Sequence, residues 1–257
     1  MRRAAAACAL LLAAMLLLAA CGSGNPDAST SDIVSAVPWS GSESLRYELR
    51  KDGDLKGYTT LTIAEEGDAV VLTQSTSDDK GNSDESTVRA DPQTLKPRTG
   101  VRTITDPSLK NVVDTTYEDV DAKECGSGRI VRIHQATYKP PTDDKPDSER
   151  SNPLCVPEHS YDNDQSLFLW RTIKFEKGYQ VTYWTITANR RDKHLVTLTV
   201  KDQEQAELAD GTKADAWLVE IASERSRQRA WFSTGGDHRL LRYINNQGQV
   251  FALMPGG

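Results

Sequence analysis

Short segments in which apolar and polar residues alternate recur along most of this chain, and they constrain its fold more than any other feature. The first, at residues 45–50 (LRYELR), is typical of a strand with one buried and one solvated face. Similar segments follow, separated by turn-forming runs such as DDKGNSDE at 78–85. Because the connections are short, neighbouring strands are expected to be antiparallel. The pattern predicts an all-β meander of about a dozen strands that forms a curved sheet, roll or partly open barrel.

Two segments depart from this pattern. Over residues 139–161, prolines and charged side chains replace the alternation, which predicts a surface excursion from a single β domain spanning 45–257. Asp162 then offers helix N-cap chemistry, by accepting a hydrogen bond from an amide near Gln165. One short helix is therefore predicted near 163–172, with Leu167 and Trp170 directed at the sheet.

The N-terminus is typical of a bacterial export signal. Arg2 and Arg3 precede an uncharged apolar run at 4–18 that is short for a membrane span. The run ends in Leu-Ala-Ala-Cys, which resembles the lipobox of bacterial lipoproteins. Residues 1–20 are thus a predicted signal peptide, and Cys21 is the predicted lipidation site. A secretory signal with a chance cysteine at its cleavage site is the alternative.

The residues after Cys21 are small and polar, so 21–44 is predicted to be an acylated N-terminus and flexible tether. Two or more acyl chains, palmitate among them, would attach the body stably to a membrane. The expected location is the cell envelope, on the extracytoplasmic side of that membrane.

Four cysteines are present, and two of them remain after the signal and the lipid have taken Cys8 and Cys21. An even remainder in an oxidising compartment predicts a disulfide between Cys125 and Cys155, although two unrelated thiols are an alternative.

The formal net charge of −6 argues against nucleic acid as a partner, because phosphates would be repelled on average.

Motifs for catalysis, metal binding and cofactor binding are absent from the sequence. It contains no G-x-S-x-G elbow, no G-x-x-x-x-G-K-[ST] phosphate loop and no H-E-x-x-H. None of the four histidines stands at metal-ligand spacing from another histidine or a cysteine: His134, His159, His194 and His238. No enzyme activity, metal or cofactor is therefore expected. A polar site formed by Glu207, Asp210, Asp162 and Arg171 would be the basis for a hydrolase, but helix capping, turns and a surface ion pair explain the same residues.

Aromatic residues are concentrated in the second half of the chain and are the candidates for ligand binding. Some lie on opposite faces of one strand, so one face could line a concave interior that binds a lipid or another apolar molecule. A solid core filled by the same rings is the alternative. The candidate residues are Trp170, Tyr183, Trp184, Trp217 and Trp231.

Several longer motifs occur in a characteristic order: YELRKDGDLKG at 47–57, DPQTLKPR at 91–98, DNDQSLFLWR at 162–171, ELADGTKADAWLVEI at 207–221, and RAWFS followed by RLLRYI. Their order and spacing resemble a bacterial exported family called domain of unknown function 3108, across most of the chain after the tether. The resemblance implies a curved, largely antiparallel sheet or roll and supplies no catalytic residue. The proline-rich excursion and its cysteine pair depart from the family pattern, which leaves the usual partner of the family in question for this chain.

Together these features predict a membrane-anchored exported lipoprotein of non-catalytic type that serves as a binding or cell-envelope module. A ligand-binding module would have a cavity lined by the aromatic residues. The first alternative, a module that docks an envelope protein on its excursion, would have a filled core and an exposed apolar patch. The second alternative, a hydrolase of unknown class, would have polar side chains converging in a cleft.

Overall fold

The computed structural model describes residues 30–126, 128–224 and 226–256. Fifteen strands of this part form one sheet: β1 (Glu43–Lys51), β2 (Asp54–Glu66), β3 (Ala69–Ser77), β4 (Ser83–Ala90), β5 (Pro97–Asp106), β6 (Leu109–Asp119), β7 (Arg129–Tyr138), β8 (Ser148–Cys155), β9 (Ser160–Asp162), β10 (Gln180–Thr187), β11 (Asp192–Glu207), β12 (Lys213–Ser223), β13 (Ser226–Ser233), β14 (Leu240–Ile244) and β15 (Val250–Leu253). No helix within these residues is long and apolar enough to cross a membrane.

The sheet consists of two meanders that meet at its middle. Strands β1 to β8 follow one another across one half, and the chain then crosses to the opposite edge, where β9 lies. From there β10 to β15 return in order, and β15 pairs with β1. Every neighbouring pair is antiparallel except β9 and β10, which run parallel. The prediction of an all-β antiparallel meander is therefore confirmed.

The alternation in the sequence accounts for which side chains face inward. Leu45, Tyr47 and Leu49 are buried on β1 while the residues between them are more exposed. On β2 the same alternation buries Leu61 and Ile63. One face of the sheet is therefore the core face, as a period of two requires.

The sheet is curled, and side-chain bonds rather than a backbone ladder connect the regions near its two edges. Lys193 on β11 donates to the carbonyl of Cys155 on β8 at 2.9 Å, and Gln135 on β7 donates to the carbonyl of Asn189 at 2.8 Å. In the described part the edge strands β8 and β9 do not pair with each other. The result is a partly open barrel.

The predicted short helix is confirmed, and it lies inside the curl. A 3₁₀ turn (Asn163–Gln165), the α-helix α1 (Ser166–Leu169) and a second 3₁₀ turn (Trp170–Thr172) follow one another. Asp162 caps the first turn by accepting from the amide of Asp164 at 2.9 Å, one residue earlier than predicted. Leu167 and Trp170 are buried as expected.

The prediction that 139–161 is an excursion without strands is wrong in part. Strand β8 lies within it and pairs with β7 from Thr137 opposite Ser148 to Ile130 opposite Cys155. Its side chains are mostly exposed, so it has no alternating apolar face that could mark it in the sequence. The predicted disulfide between Cys125 and Cys155 is present and ties the end of β8 to the loop before β7.

The predicted tether is also shorter than expected. Residues 30–42 pack on the domain: Ile33 is fully buried in the main core, and Val37 and Trp39 pack against that core. The amide of Ser31 donates to the carbonyl of Thr182 at 3.1 Å, and that of Ser35 to the carbonyl of Thr172 at 2.8 Å. A few apolar residues within this polar segment are enough to pack the segment against the domain. The predicted signal peptide at 1–20, Cys21 and residues 22–29 lie outside the described residues.

Candidate functional site

The concave face of the sheet changes from apolar to polar along its strands. On β10 the inward residues run from Val181 and Tyr183, both buried and apolar in character, to Thr185. The paired strand β11 changes in the same direction, because Leu198 lies opposite Val181 and His194 lies opposite Thr185. The apolar ends of these strands contribute to the main core, and their polar ends lie outside that core.

A cavity of about 400 Å³ occupies the polar end of the curl. Strands of both meanders line it. The helical segment, residues 163–172, also lines it, and its first turn contacts β4 on one side and β10 on the other. Its polar lining includes Gln74, Asp84, Ser86, Arg102, Asp164, Thr185, Thr187, Asn189, Asp192, His194, Ser223 and Gln228. Side chains that hydrogen-bond outnumber apolar ones, whereas the aromatic residues had suggested an apolar interior.

The apolar part of the lining is a group of aromatic rings. Trp170 and Tyr243 meet edge to face with ring centres 5.7 Å apart, and Tyr243 lies 5.3 Å from Phe251. The indole N–H of Trp170 donates to the hydroxyl of Tyr183 at 2.8 Å. Burial raises the pKa of Tyr183 to about 12, so this hydroxyl is neutral at physiological pH. These rings form the boundary between the cavity and the main core.

Two of the five predicted ligand-binding residues, Trp170 and Tyr183, line the cavity, and the other three do not. Trp184 follows Tyr183 on β10, so its side chain projects from the opposite face. Trp217 lies near the middle of β12, four residues before the lining residue Ile221, and packs against the main core. Trp231 donates instead to Glu204 at 2.6 Å. Aromatic composition alone could not distinguish these positions.

Polar groups in the cavity were missed by the sequence reasoning, and two of them have no hydrogen-bond partner among the described residues. The side-chain oxygen of Thr185 is one, in a residue that is only 1% exposed, and the amide oxygen of Asn189 is the other. A buried hydroxyl without a partner costs free energy unless water or a ligand supplies one. Both residues line the cavity, so its contents must satisfy them.

A charged cluster forms the wall between the helical segment and strands β4 and β5. Arg102 donates to Asp84 at 2.6 and 2.9 Å and to Asp164 at 2.9 Å. Asp162, 3% exposed, accepts from the hydroxyl of Tyr117 at 2.8 Å. The cluster therefore attaches the start of the helical segment to the opposite half of the sheet.

Protonation of this cluster is set mainly by burial. Burial, reinforced by the neighbouring Asp164 carboxylate, raises the pKa of Asp162 to about 7, while the amide of Asp164 and the hydroxyl of Tyr117 oppose the change. Burial also raises the pKa of Asp164, against the attraction of Arg102. Asp162 is thus a carboxyl that exchanges its proton near neutral pH.

Gly100 on β5 provides the room for this cluster. A Cβ at this position would lie 2.6 Å from Oγ1 of Thr115 and 3.4 Å from Oδ2 of Asp162. A second cavity of about 10 Å³, near the size of one water, lies beside Gly100 and shares Arg102, Asp164 and Asn189 with the main cavity.

The four residues considered for a hydrolase have separate partners. Asp162 belongs to the charged cluster, and Arg171 pairs with Glu43 on β1. Glu207 is exposed on β11, and Asp210 accepts from the amide of Thr212 within its own turn. The described residues contain no group of three or more histidine, cysteine, aspartate or glutamate side chains that could hold a metal ion.

These features define a class of protein, a curled antiparallel sheet that encloses a largely polar cavity. Residues 46–247 match the model of the family described as Protein of unknown function (DUF3108), and the chain belongs to this family. The structure is also similar to the crystal structure of a beta-barrel-like protein of domain of unknown function DUF1849 from Brucella abortus. That similarity has 12% identity and a TM-score of 0.33 over 82% of this chain and 94% of the other. No curated protein matches the chain.

Proposed function

We propose that this protein is a lipid-anchored, non-catalytic module of the cell envelope that binds a small molecule in its polar cavity. The observation that carries the proposal is the cavity of about 400 Å³ with the buried, unpartnered hydroxyl of Thr185 in its wall. This volume lies within the range of ligand sites, about 300 to 1,000 Å³. Because polar groups predominate in the lining, a ligand with its own hydrogen-bonding groups is favoured over a bare acyl chain.

The lipobox-like sequence before Cys21 supports the anchor. Thr30, the first described residue, is nine positions after Cys21, and nine residues span at most about 30 Å. Since the residues from Ser31 onward are bound to the domain, an acylated Cys21 would hold the domain close to the membrane surface.

The anchor is tested by Cys21→Ser with metabolic labelling by a palmitate analogue. The wild-type chain should incorporate the label and sediment with membranes, and the variant should lose both properties. Cys125→Ser is the control, because that cysteine is in the disulfide and should not affect labelling. Retention of unlabelled Cys21→Ser protein in the membrane fraction would show that the attachment does not depend on an acyl chain at this cysteine.

Ligand binding is tested by native mass spectrometry of the full chain, purified in mild detergent from the cells that produce it. A co-purifying molecule at one copy per chain supports the proposal. An unliganded mass, together with no thermal stabilisation by an extract of the same envelopes, would contradict it.

The protein-docking alternative is less well supported. Within the described residues, the exposed large apolar side chains are Leu55 and Val101, which are 45% and 46% exposed. They lie on β2 and β5, separated in the sheet by β3 and β4. An extended apolar patch of the kind that marks a stable interface is not formed by these two residues.

A further inference from the structure

The charges around the cavity indicate which ligands its wall can accept. The half-buried cation of the wall, Arg102, is already shared between Asp84 and Asp164. The other lining cation, Arg190, is exposed at the rim, and Asp192 lies two positions away in the lining. An anionic ligand would therefore have to compete with carboxylates for Arg102, which favours a ligand without net charge.

The hydrogen-bonding side chains of the lining restrict the class of ligand further. Thr185 presents a hydroxyl that can both donate and accept, and Asn189 presents a free amide oxygen that accepts. Ser86, on the opposite half of the sheet, is a second buried hydroxyl in the lining. Partners on both sides of the cavity call for a ligand that carries hydroxyl groups around its whole periphery.

The aromatic rings add an apolar surface beside these polar groups. Trp170, Tyr243 and Phe251 form a continuous group of rings at the cavity boundary. A sugar ring combines an apolar C–H face with peripheral hydroxyls, so both kinds of surface would be used at once. A fatty acyl chain would leave the hydroxyls and amides without partners.

We infer that the cavity binds an uncharged saccharide of one or two sugar units. The inference rests on the proposed function, since it takes the cavity to be the ligand site and names the class of ligand. The limit of two units follows from the cavity volume of about 400 Å³, which is near the lower end for ligand sites.

The test uses saturation-transfer NMR and calorimetric titration on the full chain in detergent micelles. The probes are trehalose, maltose, N-acetylglucosamine and diacetylchitobiose, with glucose 6-phosphate and decanoate as the anionic and apolar comparisons. At least one neutral sugar should bind, and glucose 6-phosphate and decanoate should not bind in the cavity. Saturation-transfer signals detect even millimolar affinity, so failure of all four sugars would overturn the inference.

Thr185→Val tests whether the sugar binds in the cavity, because the substitution removes the hydroxyl from the cavity wall and preserves the shape of the side chain. Loss of one hydrogen bond should weaken sugar binding by about fivefold or more. Thr182→Val is the matched control: Thr182 lies on the same strand, and its hydroxyl pairs with Thr197 at 2.9 Å. Equal sugar affinities of the two variants would overturn the inference even if a sugar binds.

Failure of this inference can be distinguished from failure of the proposed function. Decanoate or glucose 6-phosphate binding that Thr185→Val weakens would overturn the saccharide assignment and leave the cavity as a ligand site. No co-purifying molecule and no binding of any probe would contradict both.

Discussion

The raised pKa of Asp162 predicts that the fold loses stability as the pH rises through neutrality. A carboxyl whose pKa is higher in the folded state stabilises the fold most when it is protonated. Its contribution is complete below the unfolded pKa, about 3.9, and is lost by the time the pH passes the folded pKa, about 7. The difference between the two values corresponds to about 4 kcal/mol, of which about 2 to 3 kcal/mol falls between pH 5 and pH 7.5.

Asp162→Asn tests this reasoning because it keeps the shape and removes the titration. The Asn oxygen can still accept from the amide of Asp164, and its NH₂ group would face the hydroxyl of Tyr117, which can accept. Urea unfolding at pH 5, 6, 7 and 7.5 gives the free energy of unfolding by linear extrapolation. We expect the wild type to lose about 2 to 3 kcal/mol across this range and the variant to lose clearly less, because only Asp164 of the two carboxyls then has a raised pKa, so that the variant is the more stable protein at pH 7.5.

Asp210→Asn is the control, since Asp210 is an exposed turn carboxyl and its pKa is lowered by its hydrogen bonds to Thr212. Its contribution changes only below the ordinary pKa of aspartate, so the control should keep the wild-type pH dependence. Equal slopes for the wild type and Asp162→Asn would refute the assignment, because they would mean that Asp162 is ionised throughout the range.

Three further changes test other parts of the fold. Gly100→Ala should lower the free energy of unfolding by about 1 to 3 kcal/mol, because its Cβ would overlap the side chain of a neighbouring strand; Gly236→Ala, where a Cβ meets nothing within 4 Å, is the control in the same urea titration. Arg171→Met should cost about 3 to 5 kcal/mol in urea unfolding, since it leaves Glu43 with only the 3.8 Å contact to Arg239 and removes the hydrogen bonds of Arg171 to the carbonyls of Asp237 and His238; an effect under 1 kcal/mol would contradict that pairing. Replacing both Cys125 and Cys155 by serine should cost about 3 to 4 kcal/mol for a bridge that spans 30 positions, and reduction of the wild type should give the same loss; unchanged calorimetric melting would contradict it.

The sequence predicts the strands well wherever one face of the strand is buried. Alternation located β1 and β2, and the cap at Asp162 located the helical segment. It could not locate β8, which is held by backbone pairing and carries exposed side chains. It also overestimated the tether, because one fully buried Ile33 decides whether a polar segment docks, and composition averages over that residue.

The candidate site was harder to predict because pairing across the sheet decides which residues meet. The charged cluster joins Arg102 on β5 to Asp164, which is 62 positions later, and Tyr117 to Asp162, 45 positions apart. No local pattern relates residues at such separations. In the sequence, each carboxylate is as consistent with a turn or a helix cap as with a site, and Asp210 does belong to a turn.

The cavity itself nevertheless has a signature that could be read once the register is known. Inward residues change from apolar to polar along β3, from Leu72 to Gln74, and along β4, from Val88 to Ser86, and the register places these pairs side by side. Polar side chains that face the inside of a curled sheet cannot be packed dry without a free-energy cost, so the core has to end where they begin. Strands β10 and β11, on the opposite half of the sheet, change from apolar to polar in the same direction. The space between the two halves must therefore hold water or a polar ligand. The cavity therefore follows from the sequence together with the strand pairing, and the unpartnered hydroxyl of Thr185 is the group that water or the proposed ligand would satisfy.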